Sequence, residues 1–166
     1  MSMDQEFPAL RRSLLFGAVA VAAVGAALLL GQLATFPNLT TWYAGLAKPA
    51  LNPPNWVFGP VWTTLYALMA FAAWRILRLP ASPARRQALL LFFAQLALNA
   101  LWSWMFFAAR SPLLGLINIV PQLAIIVACV ATFYRLDRIA ALCFVPLALW
   151  VSFASFLNFE LWRLNG

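Results

Sequence analysis

The absence of charge over five long stretches is the feature that most constrains what this chain can fold into. No Asp, Glu, Lys or Arg occurs in residues 13–47, 49–74, 87–109, 111–134 or 139–159. A hydrocarbon core about 30 Å thick takes roughly 20 helical residues, so each stretch is long enough to cross it. We therefore predict an all-α fold, an integral membrane bundle of five transmembrane helices.

These helices account for nearly the whole chain. Hydrophobic residues make up 65% of it and charged residues 9%, whereas a soluble domain is only about half apolar. The first apolar run resembles an export signal, but it continues to about Leu33, beyond the roughly 7 to 15 residues of a signal core, so we expect it to remain. The predicted single domain covers residues 1–166, with helices at about 14–33, 58–79, 88–109, 113–133 and 139–161, and with loop 35–57 as a candidate lid.

The positive charges predict an orientation in the membrane. The net charge is +7, but the arginines cluster at the ends of apolar runs rather than along one face, which argues against a nucleic-acid partner. By the positive-inside rule, the N-terminus is expected in the cytoplasm, and the C-terminus and loop 35–57 on the opposite side. The predicted cytoplasmic side carries Arg11, Arg12, Arg75, Arg78, Arg85, Arg86, Arg135 and Arg138; the other carries Lys48, Arg110 and Arg163.

Polar and aromatic residues recur at helical spacing inside the predicted spans. An amide exposed to lipid would remain unpaired at a cost of several kcal/mol, so these faces are expected to point into the bundle. The rows are Trp62, Tyr66, Met69 and Ala73; Gln95, Asn99, Trp102 and Phe106; Asn118 and Gln122; and Pro146, Trp150, Ala154 and Asn158.

Two interpretations of these rows remain open. Amides in membrane helices often only join neighbouring helices, with couplings that average about 0.6 kcal/mol. Alternatively, aromatic and amide faces that converge from several helices form an apolar cavity with a few orienting polar groups, which suits a flat apolar ligand. Cys129 and Cys143 lie in apolar runs without a CxxC motif and are interpreted as buried small side chains.

The segment between the first two helices has the composition of a rigid cover. Residues 42–62 read WYAGLAKPALNPPNWVFGPVW. Pro49, Pro53 and Pro54 fix their own φ angles and restrict the residues before them, so the loop loses little entropy on ordering. Trp42 and Trp56 suit either this cover or an aromatic belt at the membrane interface.

At these residues the chain resembles the TspO/MBR family, the tryptophan-rich sensory proteins of bacteria whose mitochondrial relatives are called translocator protein or peripheral benzodiazepine receptor. QLALNALWSWMFF at 95–107 and VPLALWVSFASFLN at 145–158 are similar to further family motifs, and the resemblance covers roughly residues 14–163. The first signature matches at Trp42, Tyr43, Lys48, Pro49, Pro53, Pro54, Phe58, Trp62, Leu65 and Tyr66.

The resemblance implies a five-helix bundle, commonly a homodimer, that binds porphyrins such as protoporphyrin IX or haem beneath the first loop. Some members also bind sterols or benzodiazepine-type drugs. The resemblance implies, by positions that match the family motifs, that the pocket includes Trp62, Asn99, Trp102, Trp150, Ala154 and Leu157. Together with the rows above, the candidate ligand-binding residues are Trp42, Trp56, Trp62, Tyr66, Gln95, Asn99, Trp102, Phe106, Trp150, Ala154 and Leu157.

Two positions depart from the family pattern. Pro146 is followed by Leu147 where the family usually has tyrosine, and Asn118 stands where many members have an acidic residue. Both changes make the interior less polar. For dimerisation, small residues that allow close helix contact are Gly17, Ala18, Ala22 and Gly25, or Ala124 and Ala128.

The function expected from these observations is a membrane receptor or sensory protein for tetrapyrroles, with no obligatory cofactor, no metal site and no catalytic residue. The chain has no histidine, so haem would lack its usual axial ligand. One alternative is an enzyme that degrades porphyrin in light, by photochemistry of the bound ligand. Another is transport or hand-off of porphyrin or sterol, for which Val130, Tyr134 and Arg138 form only a weak sterol-recognition pattern.

Overall fold

The computed structural model describes the backbone of residues 3–166 and the side chains of residues 10–166. Within that part of the chain there are five long α-helices and no strand, and each helix is long and apolar enough to cross a membrane. The predicted all-α, multi-pass membrane bundle is confirmed. The helices are α1 (Met3–Leu39), α2 (Asn55–Arg78), α3 (Pro83–Ser103, continued by a π-helical turn over Trp104–Ala108), α4 (Pro112–Leu136) and α5 (Arg138–Asn165).

Three of the helices begin at a side chain that accepts a hydrogen bond from the first turn. Ser82, Ser111 and Asp137 accept from the backbone N–H three residues later, at 3.1, 3.2 and 2.9 Å. Pro83 and Pro112 follow the two serines, at positions whose N–H has no helical partner in any case. The local sequence of each short connection therefore determines where the next helix begins.

The connection between α1 and α2 is shorter than the predicted loop 35–57. Helix α1 continues to Leu39 and α2 begins at Asn55, so the loop comprises residues 40–54. The polar residues at the end of α1 stay helical because they bond to the helix itself: Thr35 Oγ1 and Asn38 Nδ2 donate to carbonyls four residues earlier, at 2.8 and 3.0 Å.

The helices pack in the ring order α1–α2–α5–α4–α3, with α3 closing against α1. One end of the bundle, which we call the basic end, carries the eight arginines assigned to the cytoplasmic side. There Arg12 and Arg85 both lie over the Phe16 ring, at 5.4 and 5.9 Å, and Arg75 pairs with Asp137. Loop 40–54 covers the opposite end, which we call the loop end.

The two halves of the bundle interior differ in composition. The basic half holds an apolar core in which the rings of Phe92, Phe133 and Phe144 make edge contacts, with centroids 6.0 and 5.0 Å apart. Cys129 is buried there and Cys143 is half-buried. The loop half instead contains a second cluster built around Phe106 and Phe107, together with most of the polar rows. The candidate site therefore lies in the loop half.

Candidate functional site

Loop 40–54 is held together by its own polar groups. Lys48 Nζ donates to the carbonyl oxygens of Tyr43 and Ala44, at 2.9 and 3.3 Å, and lies 4.7 Å from the centroid of the Tyr43 ring. The Tyr43 hydroxyl donates to Asn52 Oδ1 at 3.2 Å. Burial raises the pKa of Tyr43, and the Asn52 bond offsets this only in part, so the phenol stays neutral and continues to donate.

The loop is docked on the bundle by aromatic packing, to which Tyr43 also contributes, and by a pair of hydrogen bonds. The Trp42 ring makes edge contacts with Phe106 and Phe107, with centroids 5.4 and 6.4 Å apart. The Ala47 N–H donates to Asn165 Oδ1 at 2.9 Å, and Asn165 Nδ2 donates back to the Ala47 carbonyl at 3.0 Å. In this structure the loop therefore closes the loop end.

The π-helical turn of α3 lies directly beneath the loop. The Ala109 N–H donates to the Trp104 carbonyl, five residues earlier, at 2.8 Å. Phe106 and Phe107 are both buried, and the Phe106 ring stacks on Trp102 with centroids 4.8 Å apart. Such turns are frequent at functional sites. No signal in the sequence distinguishes this turn from regular helix.

Hydrogen bonds between side chains join the helices at the level of the polar rows. The Tyr66 hydroxyl donates to Asn99 Oδ1 at 2.6 Å, which links α2 to α3. Trp102 Nε1 donates to Asn158 Oδ1 at 3.0 Å, and Asn158 Nδ2 donates to the Pro112 carbonyl at 2.7 Å. The interpretation that amides join helices is confirmed for Asn99 and Asn158, and ligand binding by Asn99 stays a prediction.

Two buried acceptors are not used by these bonds. Within the part of the chain that the structure describes, Gln95 Oε1 and Asn118 Oδ1 contact no hydrogen-bond donor. Gln95 donates only to Met69 Sδ, at 3.5 Å. Both side chains lie inside the bundle, so a donor from water or from a ligand would offset the cost of burying them. Leu147, the other departure from the family pattern, is fully buried in the apolar core.

The structure brings most of the predicted site residues together. The rings of Trp62 and Tyr66 lie 5.6 Å apart on α2, and on α5 Leu157 is buried and Ala154 half-buried. Trp150 lies against Phe58 with centroids 5.8 Å apart.

Trp56 does not join the predicted site. Its side chain is 75% exposed on the first turn of α2, away from the bundle interior. Its environment is the surface at the loop end, as expected for an interfacial aromatic residue.

The predicted row on α5 points inward at one end only. Pro146 is exposed, Trp150 and Ala154 are half-buried, and Asn158 is buried. A step of four residues turns about 40° further than one full helical turn, so a strict four-residue row winds around the helix. The row therefore passes from the lipid-facing surface at Pro146 to the bundle interior at Asn158.

The open volume near the site lies at its side. A groove of about 570 Å³ runs between α2 and α5, where Pro60 and Thr64 face Leu149, Trp150 and Phe153. Inside the bundle at this level, the predicted side chains contact one another. At the place where the sequence predicts a cavity, the structure has a packed aromatic interior, and the open groove lies beside it.

Three residues that shape this interior were not among the predicted site residues. Phe58 contacts Trp150 and Phe107 contacts Trp102; both lie in the family motifs, but neither was assigned to the site. Gly115 allows α4 to lie close against neighbouring side chains, since a Cβ added there would lie 2.7 Å from Asn158 Oδ1 and 2.8 Å from Phe106 Cδ2. A lone glycine near the start of a span is the only signal that the sequence offers for it.

Comparison with known proteins adds an independent finding. The sequence model of the TspO/MBR family matches residues 18–163. The chain is similar to tryptophan-rich protein TspO of Archaeoglobus fulgidus, with 37% identity over 89% of this chain and 94% of that one. It is 42% identical to the tryptophan-rich sensory protein of Cereibacter sphaeroides, over 75% and 77% of the two chains. It is also 35% identical to the translocator protein of Homo sapiens, over 75% of each.

Proposed function

The chain belongs to the TspO/MBR family, and from that premise we propose that it is a membrane receptor that binds a tetrapyrrole in the loop half of the bundle. The observation that carries the proposal is the meeting of aromatic and amide side chains from α2, α3 and α5 beneath a docked loop. Planar aromatic side chains stack on a macrocycle with roughly 0.5 to 1.5 kcal/mol per ring beyond the burial of area. A sensory role is supported by the name of the Cereibacter sphaeroides relative.

The polar groups of the site suit a mostly apolar ligand. The bond from Tyr66 to Asn99 and the bond from Trp102 to Asn158 are neutral pairs, so a ligand can replace either one without separating charges. Lys48 is already bound to three carbonyl oxygens of the loop. Arg110 is exposed at the loop end, and its Nε donates to Asn38 Oδ1 at 3.3 Å. We propose that its two terminal nitrogens meet the carboxylates of such a ligand.

Titration with protoporphyrin IX in the dark, followed by tryptophan fluorescence of the protein in detergent, tests this function. Trp150→Leu removes a stacking ring, and we expect the dissociation constant to rise roughly two- to tenfold. Asn99→Leu removes the amide that pairs with Tyr66, and we expect weaker binding as well. Trp74→Leu is the matched control, because Trp74 is half-buried at the basic end and bonds to the Ser13 carbonyl.

The two tryptophan variants are directly comparable, since each leaves seven of the eight tryptophans. Saturable quenching that weakens in Trp150→Leu and Asn99→Leu, but not in Trp74→Leu, supports the site. Equal weakening in all three variants, or quenching that never saturates, rejects it. Illumination of the same bound sample then separates a receptor from a photochemical enzyme, because only the latter consumes the porphyrin faster than it is lost when illuminated without the protein.

We also propose that the protein forms a homodimer through small residues that face lipid. Ala18 and Ala22 are exposed on α1, and Ala124 is exposed on α4. Gly17, by contrast, faces its own chain, since a Cβ added there would lie 3.6 Å from Trp74 Cδ1. With Cys129 and Cys143 replaced by alanine, Ala22→Cys and Ala124→Cys should differ in oxidative cross-linking, and a covalent dimer from neither would reject both faces.

A further inference from the structure

We propose that the ligand reaches the site sideways from the bilayer, through the groove between α2 and α5, and not through the loop end. The groove would be a vestibule for the flat, apolar macrocycle of a tetrapyrrole carried in the membrane. This inference rests on the proposed function, since it concerns the route to the same site.

The loop end offers no open route in this structure. Trp42 covers Phe106 and Phe107, and Asn165 holds Ala47 through two hydrogen bonds. Lys48 ties the start of the loop to its middle, since its three acceptors belong to the loop itself. Passage through this end would require the loop to leave the bundle, with loss of both contacts.

The groove between α2 and α5 is open, in contrast to the loop end. Its volume of about 570 Å³ falls within the roughly 300 to 1,000 Å³ typical of small-molecule sites. Its walls are almost entirely apolar, and the Thr64 hydroxyl is bound to the Pro60 carbonyl at 2.9 Å. The groove therefore presents no free hydroxyl that would favour water over a ring partitioned from lipid.

The groove is continuous with the proposed site through Trp150. One part of this indole lines the groove, beside Phe153, and another part packs on Phe58. On the facing wall, Leu65 is also buried in the bundle core, and the next residue is Tyr66, which bonds to Asn99. A ring held in the groove is thus one side chain away from the aromatic interior.

Both walls carry a proline at this level. Pro60 lies inside α2 and Pro146 inside α5, and both line the groove. A proline removes one backbone hydrogen bond from its helix and is the commonest cause of bending. The two helices can therefore separate here at lower cost than in regular helix, which widens the path past Trp150.

Binding rates in lipid nanodiscs test the route, with protoporphyrin IX added in the lipid phase and followed by its own absorbance. Leu149→Trp fills the groove from α5, where Leu149 is 68% exposed and belongs to no part of the proposed site. We expect the association and dissociation rates both to fall by about tenfold with the dissociation constant unchanged, because the barrier alone is raised. Leu142→Trp is the matched control, 64% exposed two turns away on the same helix and outside the groove.

Asn165→Ala tests the other route, through the loop end, because it removes both hydrogen bonds that hold Ala47. Slower rates in Leu149→Trp, with Leu142→Trp and Asn165→Ala near the wild-type rates, support access through the groove. Unchanged rates in Leu149→Trp, or faster binding in Asn165→Ala, overturn it in favour of the loop end. Both results require saturable binding by the wild type, so a wild type that does not bind rejects the proposed function itself.

Discussion

At the scale of single residues, the site depends on one buried amide that is bonded to two other helices. Asn158 accepts from Trp102 and donates to the Pro112 carbonyl, so it connects α3, α4 and α5. Gly115 lies against this amide and against Phe106. The space at Gly115 therefore sets the positions of Asn158 and Phe106 together.

We predict that Gly115→Ala destabilises the protein and weakens porphyrin binding. The new methyl group would overlap Asn158 Oδ1 and Phe106, and overpacking of this kind costs about 1 to 3 kcal/mol. Unfolding in increasing mole fraction of SDS, followed by circular dichroism, measures the change.

The control for this substitution is Gly25→Ala. A Cβ at Gly25, in the middle of α1, meets nothing within 4 Å. Alanine is favoured over glycine in a helix by about 0.8 to 1.0 kcal/mol, so this variant should be as stable as the wild type or slightly more so. Equal losses in both variants would contradict the steric explanation.

At the scale of helices, an ion pair joins the neighbouring helices α2 and α5 at the basic end. Arg75 Nε donates to both oxygens of Asp137, at 3.0 and 2.9 Å, and so ties the end of α2 to the start of α5. Asp137 also caps α5 through the Ala140 N–H. Partial burial opposes ionisation of this carboxyl, but the hydrogen bonds from Arg75 and Ala140 and the charge of Arg75 outweigh it, so the pKa of Asp137 is lowered.

The lowered pKa predicts a loss of stability in acid. Because the pKa of Asp137 in the folded protein lies below its unfolded value of about 3.9, the pair stabilises the fold above that pH. The contribution is lost as the pH falls through the pKa of the folded protein. Asp137→Asn keeps a capping oxygen without the charge, so its unfolding free energy should decrease less than that of the wild type between about pH 6 and pH 3.

Two further variants separate the cap from the charge. Asp137→Ala loses both and should be less stable than Asp137→Asn at neutral pH by about 1 kcal/mol. Glu160→Gln breaks an ion pair with Arg163 at the far end of α5. The Arg163 side chain is 58% exposed, so solvent screens the pair and the change should cost little. If the wild type and Asp137→Asn lose stability in parallel, the ion pair is not the cause.

At the scale of the whole molecule, the positive charges are unevenly divided between the two ends of the bundle. Eight arginines lie at the basic end. Lys48, Arg110 and Arg163 lie at the loop end. By the positive-inside rule we propose that the basic end is cytoplasmic. The loop, and with it the closed end of the site, would then face the other compartment.

Cysteine labelling tests this orientation. In a background with Cys129 and Cys143 replaced by alanine, Ala50→Cys in the loop and Ala81→Cys between α2 and α3 place one thiol at each end, at exposed positions. We expect a membrane-impermeant maleimide to label Ala50→Cys in intact cells and Ala81→Cys only after permeabilisation. The reverse pattern would mean that the bundle is inserted the other way.

The number of helices, their type and the burial of the amides inside the spans follow from the sequence alone, whereas the predicted row on α5 points inward only at Asn158. Lipid offers no hydrogen bonds, so the part of a charge-free run that crosses the bilayer satisfies its backbone as a helix, and Gln95 and Asn99 must then turn toward other helices. Ser82, Ser111 and Asp137 also mark helix starts locally, because a cap involves residues only three apart.

Other features were decided only by the tertiary structure. Trp42 and Trp56 come from the same aromatic loop motif, yet one packs on Phe106 while the other is exposed, because docking depends on residues more than 60 positions away. The π-helical turn and the space at Gly115 likewise arise where α3 and α4 meet. Local sequence determines where the helices form. Contacts between distant segments determine which side chains meet, and the chemistry of the site depends on those contacts.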